Sequence, residues 1–257
     1  MRELKRLNAW IDGASLRDID TRLYITEIYE PEPDVTLDWG ISPGISGQRK
    51  LRRTRQAKKV RIEFDIKELF DLKARAAIVD AANGWAHDGI LTISTRPEQR
   101  MRAVLTQAAT MDGARDVTAK YIIEFTAGAC PYWEDETPRV LSLASGTSGS
   151  GTLIIPGHAP TGAEITVTPG ASLSTLSLTI QGQTMAFSGL SVASGTALVI
   201  GHDDNGLLTI KAGTASKLSC RTAASVDDFR MVPGSAAVSF TANAACTVSV
   251  SVRGRYL

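Results

Sequence analysis

The clearest regularity in the chain is the alternation in residues 60–66 (VRIEFDI), where apolar Val60, Ile62, Phe64 and Ile66 are separated by charged Arg61, Glu63 and Asp65. A period of two with one wet face predicts a β-strand. LYITEIY (23–29) reads as another strand, and Ala9-Trp10-Ile11 as a short early one turned by Asp12-Gly13. The period changes over residues 67–83, where Phe70, Ala74, Ala77 and Ala81 fall on one side with Leu69, Leu72, Ala76 and Val79 nearby. That spacing predicts a helix stopped at Asn83-Gly84. Strand patterns return over 89–95, 102–111 and, past a turn at Asp112-Gly113, 117–125. Residues 30–59 contain Pro31, Pro33, Gly40, Pro43, Gly44 and Gly47 with little periodicity, so the segment is expected to lack a regular element. An irregular stretch of that length inside a domain is functional or disordered. Strands, one helix and a closing hairpin make this half α+β.

The second half is patterned differently. Short apolar runs recur at 151–157, 164–170, 176–182, 196–201, 206–213, 236–242 and 246–257, separated by Gly, Pro or Asp-Asn-Gly. Such spacing, with turn chemistry between runs and no helical stretch, predicts a β-sandwich. The runs share no fixed period, which argues against a solenoid.

Composition places the division near Pro138. Residues 1–137 hold 21 basic and 22 acidic side chains, whereas residues 138–257 hold 7 and 5, with Ser, Thr, Gly and Ala in their place. Two domains are expected, 1–137 and 138–257, joined by an extended connector (130–139) pinned by Tyr132 and Trp133. The totals of 28 Lys and Arg against 27 Asp and Glu leave no global field that would steer the molecule to nucleic acid or lipid. Partners must be recognised by patches. The N-terminal residues lack the apolar region of a secretory signal and no long apolar run is present, which predicts a soluble protein made inside a cell. Cys130, Cys220 and Cys246 are too few and too scattered for a disulfide framework or a zinc site, although Cys220 and Cys246 remain able to pair.

Candidate chemistry is sparse. His202-Asp203-Asp204-Asn205-Gly206 is the densest group of potential ligands, yet between two apolar runs it has the composition of a tight hairpin turn. His87-Asp88 reads as a polar pair at a helix exit, and His158 is isolated. No GxSxG elbow, P-loop or paired-carboxylate pattern is present, and Ser145 to Gly151 reads as a flexible linker. No catalytic residue, cofactor or metal is assigned, and the chain is not expected to be an enzyme.

One patch stands out. Residues 49–61 place Arg49, Lys50, Arg52, Arg53, Arg55, Lys58, Lys59 and Arg61 in thirteen positions with no acid among them. Without interleaved aromatic residues or a following recognition helix, sequence-specific nucleic-acid readout is disfavoured. The alternatives are a solvated loop or a contact with acidic residues of a neighbouring subunit, such as Glu30, Glu32 and Asp34 or Glu134-Asp135-Glu136.

In order and texture the chain resembles the distal tail proteins (Dit) of long-tailed bacteriophages. The resemblance runs from the segment leading through residues 49–61 into VRIEFDI, the helix at 67–83 and WAHDGILTIST to YIIEFTAGACPYW, an aromatic-Pro junction before a second domain. It continues through LSLTIQGQTMAFSGLSVASGTALVIGHDDNGLLTI, DDFRMVPGSAAVSFTA and the terminal VSVSVRGRYL, with Ser235-Ala236 where the family carries Asn after the PG turn.

The resemblance implies a mainly β fold. Its N-terminal α+β domain would be a β-sandwich or split barrel with one helix, followed by a C-terminal galectin-like β-sandwich. It further implies a structural protein of the virion, assembled in the bacterial host cytoplasm, that forms a hexameric ring at the distal end of the tail. The N-terminal domain would build the ring, with residues 30–59 as an arm embracing a neighbour. The ring would join the tail tube protein to the tail-tip hub or baseplate, carry receptor-binding components in some phages, and pass DNA through its lumen. Two other readings follow from the residues: a host-surface glycan-binding module in 138–257, and a nucleic-acid-binding protein acting through 49–61. The second half has no Trp, and Phe187, Phe229, Phe240 and Tyr256 lie in or beside strand-like runs, which speaks against an aromatic sugar platform.

Overall fold

The structure is a computed structural model that describes residues 6–41, 46, 48–67, 71–110, 120–128, 130–203 and 206–257. Pro43, Gly44, Gly47, Leu69, Phe70, the Asp112-Gly113 turn, residues 117–119 and Asp204-Asn205 lie outside the described residues. The chain divides into two compact units, Met1–Trp133 and Glu134–Leu257. Strands dominate both, so the fold is mainly β.

The first unit contains β1 (Ala9–Ile11), β2 (Ala14–Ser15), β3 (Leu23–Tyr29), β4 (Val35–Ile41), β5 (Gln48–Arg55), β6 (Lys58–Ile66), α1 (Leu72–Trp85), β7 (Gly89–Ile93), β8 (Gln99–Gln107) and β9 (Tyr121–Ala127). An antiparallel sheet runs in the order β2-β1-β7-β8-β9-β6-β3. Alternation sets its inner face: Val60, Ile62, Phe64 and Ile66 of β6 are buried beside Tyr121, Ile123 and Phe125 of β9, and Phe64 stacks on its cross-strand neighbour Tyr121 at 5.2 Å. The Asp12-Gly13 turn has φ of 48° and 83°, the paired positive values that a two-residue hairpin loop of type I′ requires.

The helix differs from its predicted span. It begins at Leu72, where the Asp71 carboxylate accepts from the Lys73 and Ala74 N–H groups as an N-cap. It runs past Asn83-Gly84 to Trp85, because tertiary contacts override the local stop signal. The Asn83 side chain bonds both backbone groups of Ala109, and Trp85 donates Nε1–H to the Ala14 carbonyl while meeting Phe125 edge-on. The strands after it are also shorter or shifted relative to the pattern-based bounds, as expected where period-two signals fade into polar ends.

Contrary to the expectation of an irregular stretch, residues 30–59 contain regular structure. β4 and β5 pair antiparallel as a two-stranded ribbon of their own, from Val35 opposite Arg55 to Ile41 opposite Gln48, with a bulge between Asp38 and Trp39. Periodicity hid this because β5 reads QRKLRRTR, a run with no apolar face to alternate.

The second unit includes the end of β10 (Trp133–Asp135), then β11 (Arg139–Ile155), β12 (Ala163–Pro169), β13 (Leu176–Ile180), β14 (Gln183–Phe187), β15 (Leu198–His202), β16 (Leu208–Ala212), β17 (Ala215–Ser216), β18 (Gly234–Val252) and β19 (Arg255–Tyr256). The apolar runs at 236–242 and 246–257 were expected to be separate strands, but β18 carries both through to Val252. Its first half pairs with β13 and its second half with β12, while β11 follows it along both. Register shifts between Leu143 and Ser148, with Gly146 opposite Cys246, mark where the two long strands bend from one layer to the other. Inner residues of both layers, among them Leu178, Phe240, Ile165, Ile200 and Val250, share one core cluster.

The segment from Ser145 to Gly151 therefore lies inside a strand and is not a linker. Its glycines reflect close packing: a Cβ on Gly149 would sit 2.7 Å from Phe240 Cε1, and one on Gly151 would sit 2.9 Å from Leu143 Cδ2. Cys220 and Cys246 do not pair, their thiols facing the Gly189 and Ala244 carbonyls respectively.

Candidate functional site

The structure divides the basic run into two parts with different surroundings. Arg49, Lys50, Arg52 and Arg53 lie on β5, along the ribbon, opposite Gly40, Trp39, Asp38 and Leu37. Arg49, Lys50 and Arg52 are exposed, and only Arg52 faces an acidic residue across this part of the ladder. At the ribbon base, Arg55 meets Glu32 at 3.7 Å and lies over the Tyr132 ring. Lys59 is paired with Glu124 at 3.0 Å, and Arg61 with Glu63 at 2.7 Å. Arg55, Lys59 and Arg61 are thus neutralised within the unit, whereas Arg49, Lys50 and Arg52 on the ribbon are presented outward.

The acidic candidates divide likewise. Glu30 is turned inward, its carboxylate accepting from Trp133 Nε1 at 2.8 Å, Arg96 Nε at 2.7 Å and the Thr95 hydroxyl at 3.3 Å. Glu32 and Asp34 stay exposed, and the Asp34 carbonyl accepts from the Gln56 N–H where the ribbon joins the sheet. Glu134-Asp135-Glu136, a second candidate patch, is engaged by the C-terminal residues. Arg255 donates to Glu134 at 3.0 Å, the Gly254 N–H to Asp135, and Arg253 to the Asp135 and Glu136 carbonyls. Gly254 permits this approach, since a Cβ there would lie 2.7 Å from Asp135 Oδ2.

Residues missed by charge-based reading complete the ribbon surface. Val35, Leu37 and Trp39 alternate along β4 at 39%, 39% and 53% exposure, Leu51 of β5 reaches 65%, and Tyr29 at the end of β3 is 53% exposed. VTLDW does alternate apolar with polar residues, a signal obscured by the surrounding prolines and glycines. An apolar row beside the exposed cations Arg49, Lys50 and Arg52 on a two-stranded ribbon has the composition of a contact surface for an apolar patch rimmed with carboxylates.

Lys58 is the other unexpected residue. Its place in the basic run makes it a candidate for subunit contact, but it is fully buried opposite Ala127, and its Nζ has no hydrogen-bond partner among the described residues. Burial pushes its pKa down, against the upward pull of Glu32 and Glu30 and with the repulsion of Arg96 and Arg55. Folding thus disfavours the protonated amine. That cost is present in full below the folded pKa and is relieved as pH rises towards the ordinary lysine value. Lys58→Met is expected to raise stability at neutral pH by about 1–2 kcal/mol. It should also abolish the alkaline gain seen in the parent. Urea unfolding at neutral and alkaline pH checks this, and a loss of stability in the variant contradicts it.

In the second unit, His202 Nε2 lies 2.9 Å from Asp228 Oδ2, tying the end of β15 to the segment before Phe229. Burial raises the Asp228 carboxyl pKa, but hydrogen bonds from His202 and the Phe229 N–H, with the charges of His202 and Arg230, outweigh it and hold the net value below the ordinary one. A depressed carboxylate contributes stability above its unfolded pKa and loses it as pH falls through the folded value. Asp228→Asn should therefore flatten the loss of second-unit stability below about pH 4. Because Trp10, Trp39, Trp85 and Trp133 all belong to the first unit, this must be followed by far-UV circular dichroism, and equal acid sensitivity in the two proteins would refute it.

The remaining candidates are structural. Asp203 closes the β15–β16 hairpin by accepting from the Gly206 and Leu207 N–H groups. His87 Nδ1 lies 3.0 Å from the Asp88 carbonyl, and His158 packs edge-on against Tyr256. Among the described residues, no three His, Cys, Asp or Glu side chains cluster to hold a metal ion. Phe187, Phe229 and Phe240 are buried in the core.

No family model matches the sequence, and no curated protein matches it. Solved structures do. The Dit protein of phage SPP1, described as a paradigm of the hub adsorption apparatus in phages infecting Gram-positive bacteria, aligns with a TM-score of 0.70 and 13% identity. The alignment covers 98% of this chain and 100% of that one. A chain of the phage P2 baseplate in its activated conformation aligns at a TM-score of 0.49 and 10% identity over 97% of each chain, a level that adds nothing to the assignment. Over nearly its whole length, the chain has the fold of the SPP1 Dit protein.

Proposed function

We propose that this protein is a structural component of a phage tail tip, a ring-forming adaptor with no catalytic role. Six copies close a ring at the distal end of the tail. The first half of the chain (1–137) builds the ring and the second half (138–257) faces outward. The ring joins the tail tube protein to the hub, carries receptor-binding components where these are present, and leaves a lumen for DNA.

The observation that carries this reading is the ribbon. A two-stranded element that among the described residues belongs to no larger sheet, exposes Leu37, Trp39 and Leu51, and bears outward cations on one strand is poorly suited to solvent and well suited to a neighbour. It is our candidate for the arm expected at 30–59, with Arg49, Lys50, Arg52 and Arg53 along it and, at its base, Arg55, Lys59 and Glu30 bonded within the unit and Lys58 buried without a hydrogen-bond partner among the described residues. The sheet of the first unit also ends at β2 and β3, whose outer edges lack strand partners among the described residues. Repeated heterologous contacts of this type generate rings when the rotation closes. The kinship in fold with the SPP1 Dit protein supports the same reading.

The test is absolute mass in solution by light scattering on the full chain, with negative-stain imaging of the assembled fraction. A mass that is a multiple of six copies with six-fold images agrees with the proposal. A single copy at every concentration, in the presence and absence of a tail tube protein, refutes it.

A further inference from the structure

The second unit carries a long strand with one side open. β11 pairs with β18 alone, so among the described residues the outer edge of its 17 residues has no strand partner. Soluble proteins blunt such edges with charge, proline, brevity or strong local twist. Here Pro138 and Pro156 stand just outside the strand, and between them Arg139 is the single charged residue. The bulge near Gly146 is the one blunting device present, and it lies mid-strand, leaving both arms regular.

We propose that this edge docks the same edge of a second copy, the two β11 strands pairing antiparallel about a two-fold axis at Thr147. The sequence of the edge selects that occupant. Val140 and Ile154 are the strand's two large outward apolar residues, 55% and 64% exposed, and they are equidistant from Thr147. Antiparallel pairing about Thr147 sets Val140 of each copy opposite Ile154 of the other, with Leu141 opposite Leu153 and Ser142 opposite Thr152. Leu153 is buried on the inner face and Leu141 half-buried, so inner positions meet inner positions and outer meet outer. A slip by one residue would oppose inner with outer side chains, and a slip by two would part Val140 from Ile154, so alternation and the apolar match together select this register. The pairing also satisfies open backbone groups along both arms and covers both exposed apolar pairs at once. A strand from an unrelated protein would find the same backbone edge without the reciprocal Val140–Ile154 match.

This contact does not rest on the ring reading. An isologous contact closes at two copies, whereas ring contacts are heterologous and continue around the axis. The two are separable by mutation, because one uses β11 and the other the β4–β5 ribbon.

The experiment measures mass against concentration for the full chain, for Val140→Lys/Ile154→Lys and for Val140→Lys/Ile154→Glu. The proposal expects a factor of two in the parent mass that the double lysine variant removes, weakening pairing about tenfold or more. It expects recovery in the lysine–glutamate variant, where the lysine introduced in each copy faces the glutamate introduced in the other across the axis. Both sites are exposed and the two variants place equal demands on folding, so the second controls the first. Equal masses for the parent and the double lysine variant overturn the proposal. So does a lysine–glutamate variant that stays as dissociated as the double lysine one, which would point to a different occupant or register.

Discussion

Replacing Trp133 by alanine is expected to destabilise the first unit by about 3–5 kcal/mol, the range for deleting a fully buried large aromatic side chain. Trp133 is fully buried, and its indole N–H donates to the same Glu30 oxygen that accepts from Arg96, whose guanidinium lies 5.6 Å from the Trp133 ring centroid. The ring therefore contributes apolar burial, a cation–π contact and a hydrogen bond to an internal carboxylate. Trp133→Phe separates these contributions. It keeps most of the burial but removes the donor, and should cost about 1–2 kcal/mol. Urea unfolding monitored through the remaining tryptophans, with Trp85 packed against Phe125, reads both changes in the first unit. A Trp133→Ala midpoint equal to the parent would show that the Glu30 cluster does not anchor this unit.

The second large effect concerns assembly. If the chain assembles through the ribbon as proposed, Leu37→Asp/Trp39→Asp is expected to abolish that assembly at concentrations where the parent assembles, while leaving unfolding of the monomer nearly unchanged. Both residues are exposed on β4 and contribute little to any core. At an interface, a buried Trp commonly accounts for about 2 kcal/mol or more, and each subunit of a ring uses the contact with two neighbours. Arg49→Glu/Arg52→Glu on β5 should also weaken assembly, but by a different route. Charge complementarity acts chiefly on encounter and register, so this defect should respond to salt, whereas the apolar one should not. Light scattering at low and high ionic strength distinguishes them. A Leu37→Asp/Trp39→Asp protein that still forms six-fold assemblies would remove the ribbon from the interface.

The ribbon also shows where reading the sequence by pattern reaches its limit. VRIEFDI was legible as a strand because one face is buried and the other wet, and period two is a direct consequence of that geometry. The same holds for YIIEF in β9 and for LSLTI in β13. β5 escaped because a strand exposed on both faces is under no pressure to alternate. Its regularity lies in backbone pairing with β4, which side-chain pattern does not record. The stretch from Ser145 to Gly151 escaped for the opposite reason. Its small residues are demanded by Phe240, Leu141 and Leu143 lying against them, and small residues alone read as a linker.

Charge told a similar story. The run from Arg49 to Arg61 is conspicuous by composition, yet composition cannot distinguish a cation presented outward from one consumed at home. Arg49 and Arg52 on the ribbon, Arg61 bonded to Glu63, and Lys58 buried beneath the sheet are equivalent in one dimension. Nor could spacing show that the C-terminal Arg253-Gly254-Arg255 engages Glu134-Asp135-Glu136. These contacts join residues more than a hundred positions apart.

By itself, then, the sequence determined the β-rich class, the helix after VRIEFDI, the contrast between a charged first half and a Ser/Thr/Gly-rich second half, and the sandwich character of the latter. These are written in short-range periodicity and composition, which local backbone geometry and the burial of apolar side chains enforce directly. Only the tertiary structure decided that Val35–Ile41 and Gln48–Arg55 form a ribbon, that β11 and β18 cross between layers at Gly146 and Cys246, and which charges and apolar side chains remain for a partner. Those outcomes depend on which distant segments lie side by side, and the free energy that selects among pairings comes from contacts that adjacent residues do not make.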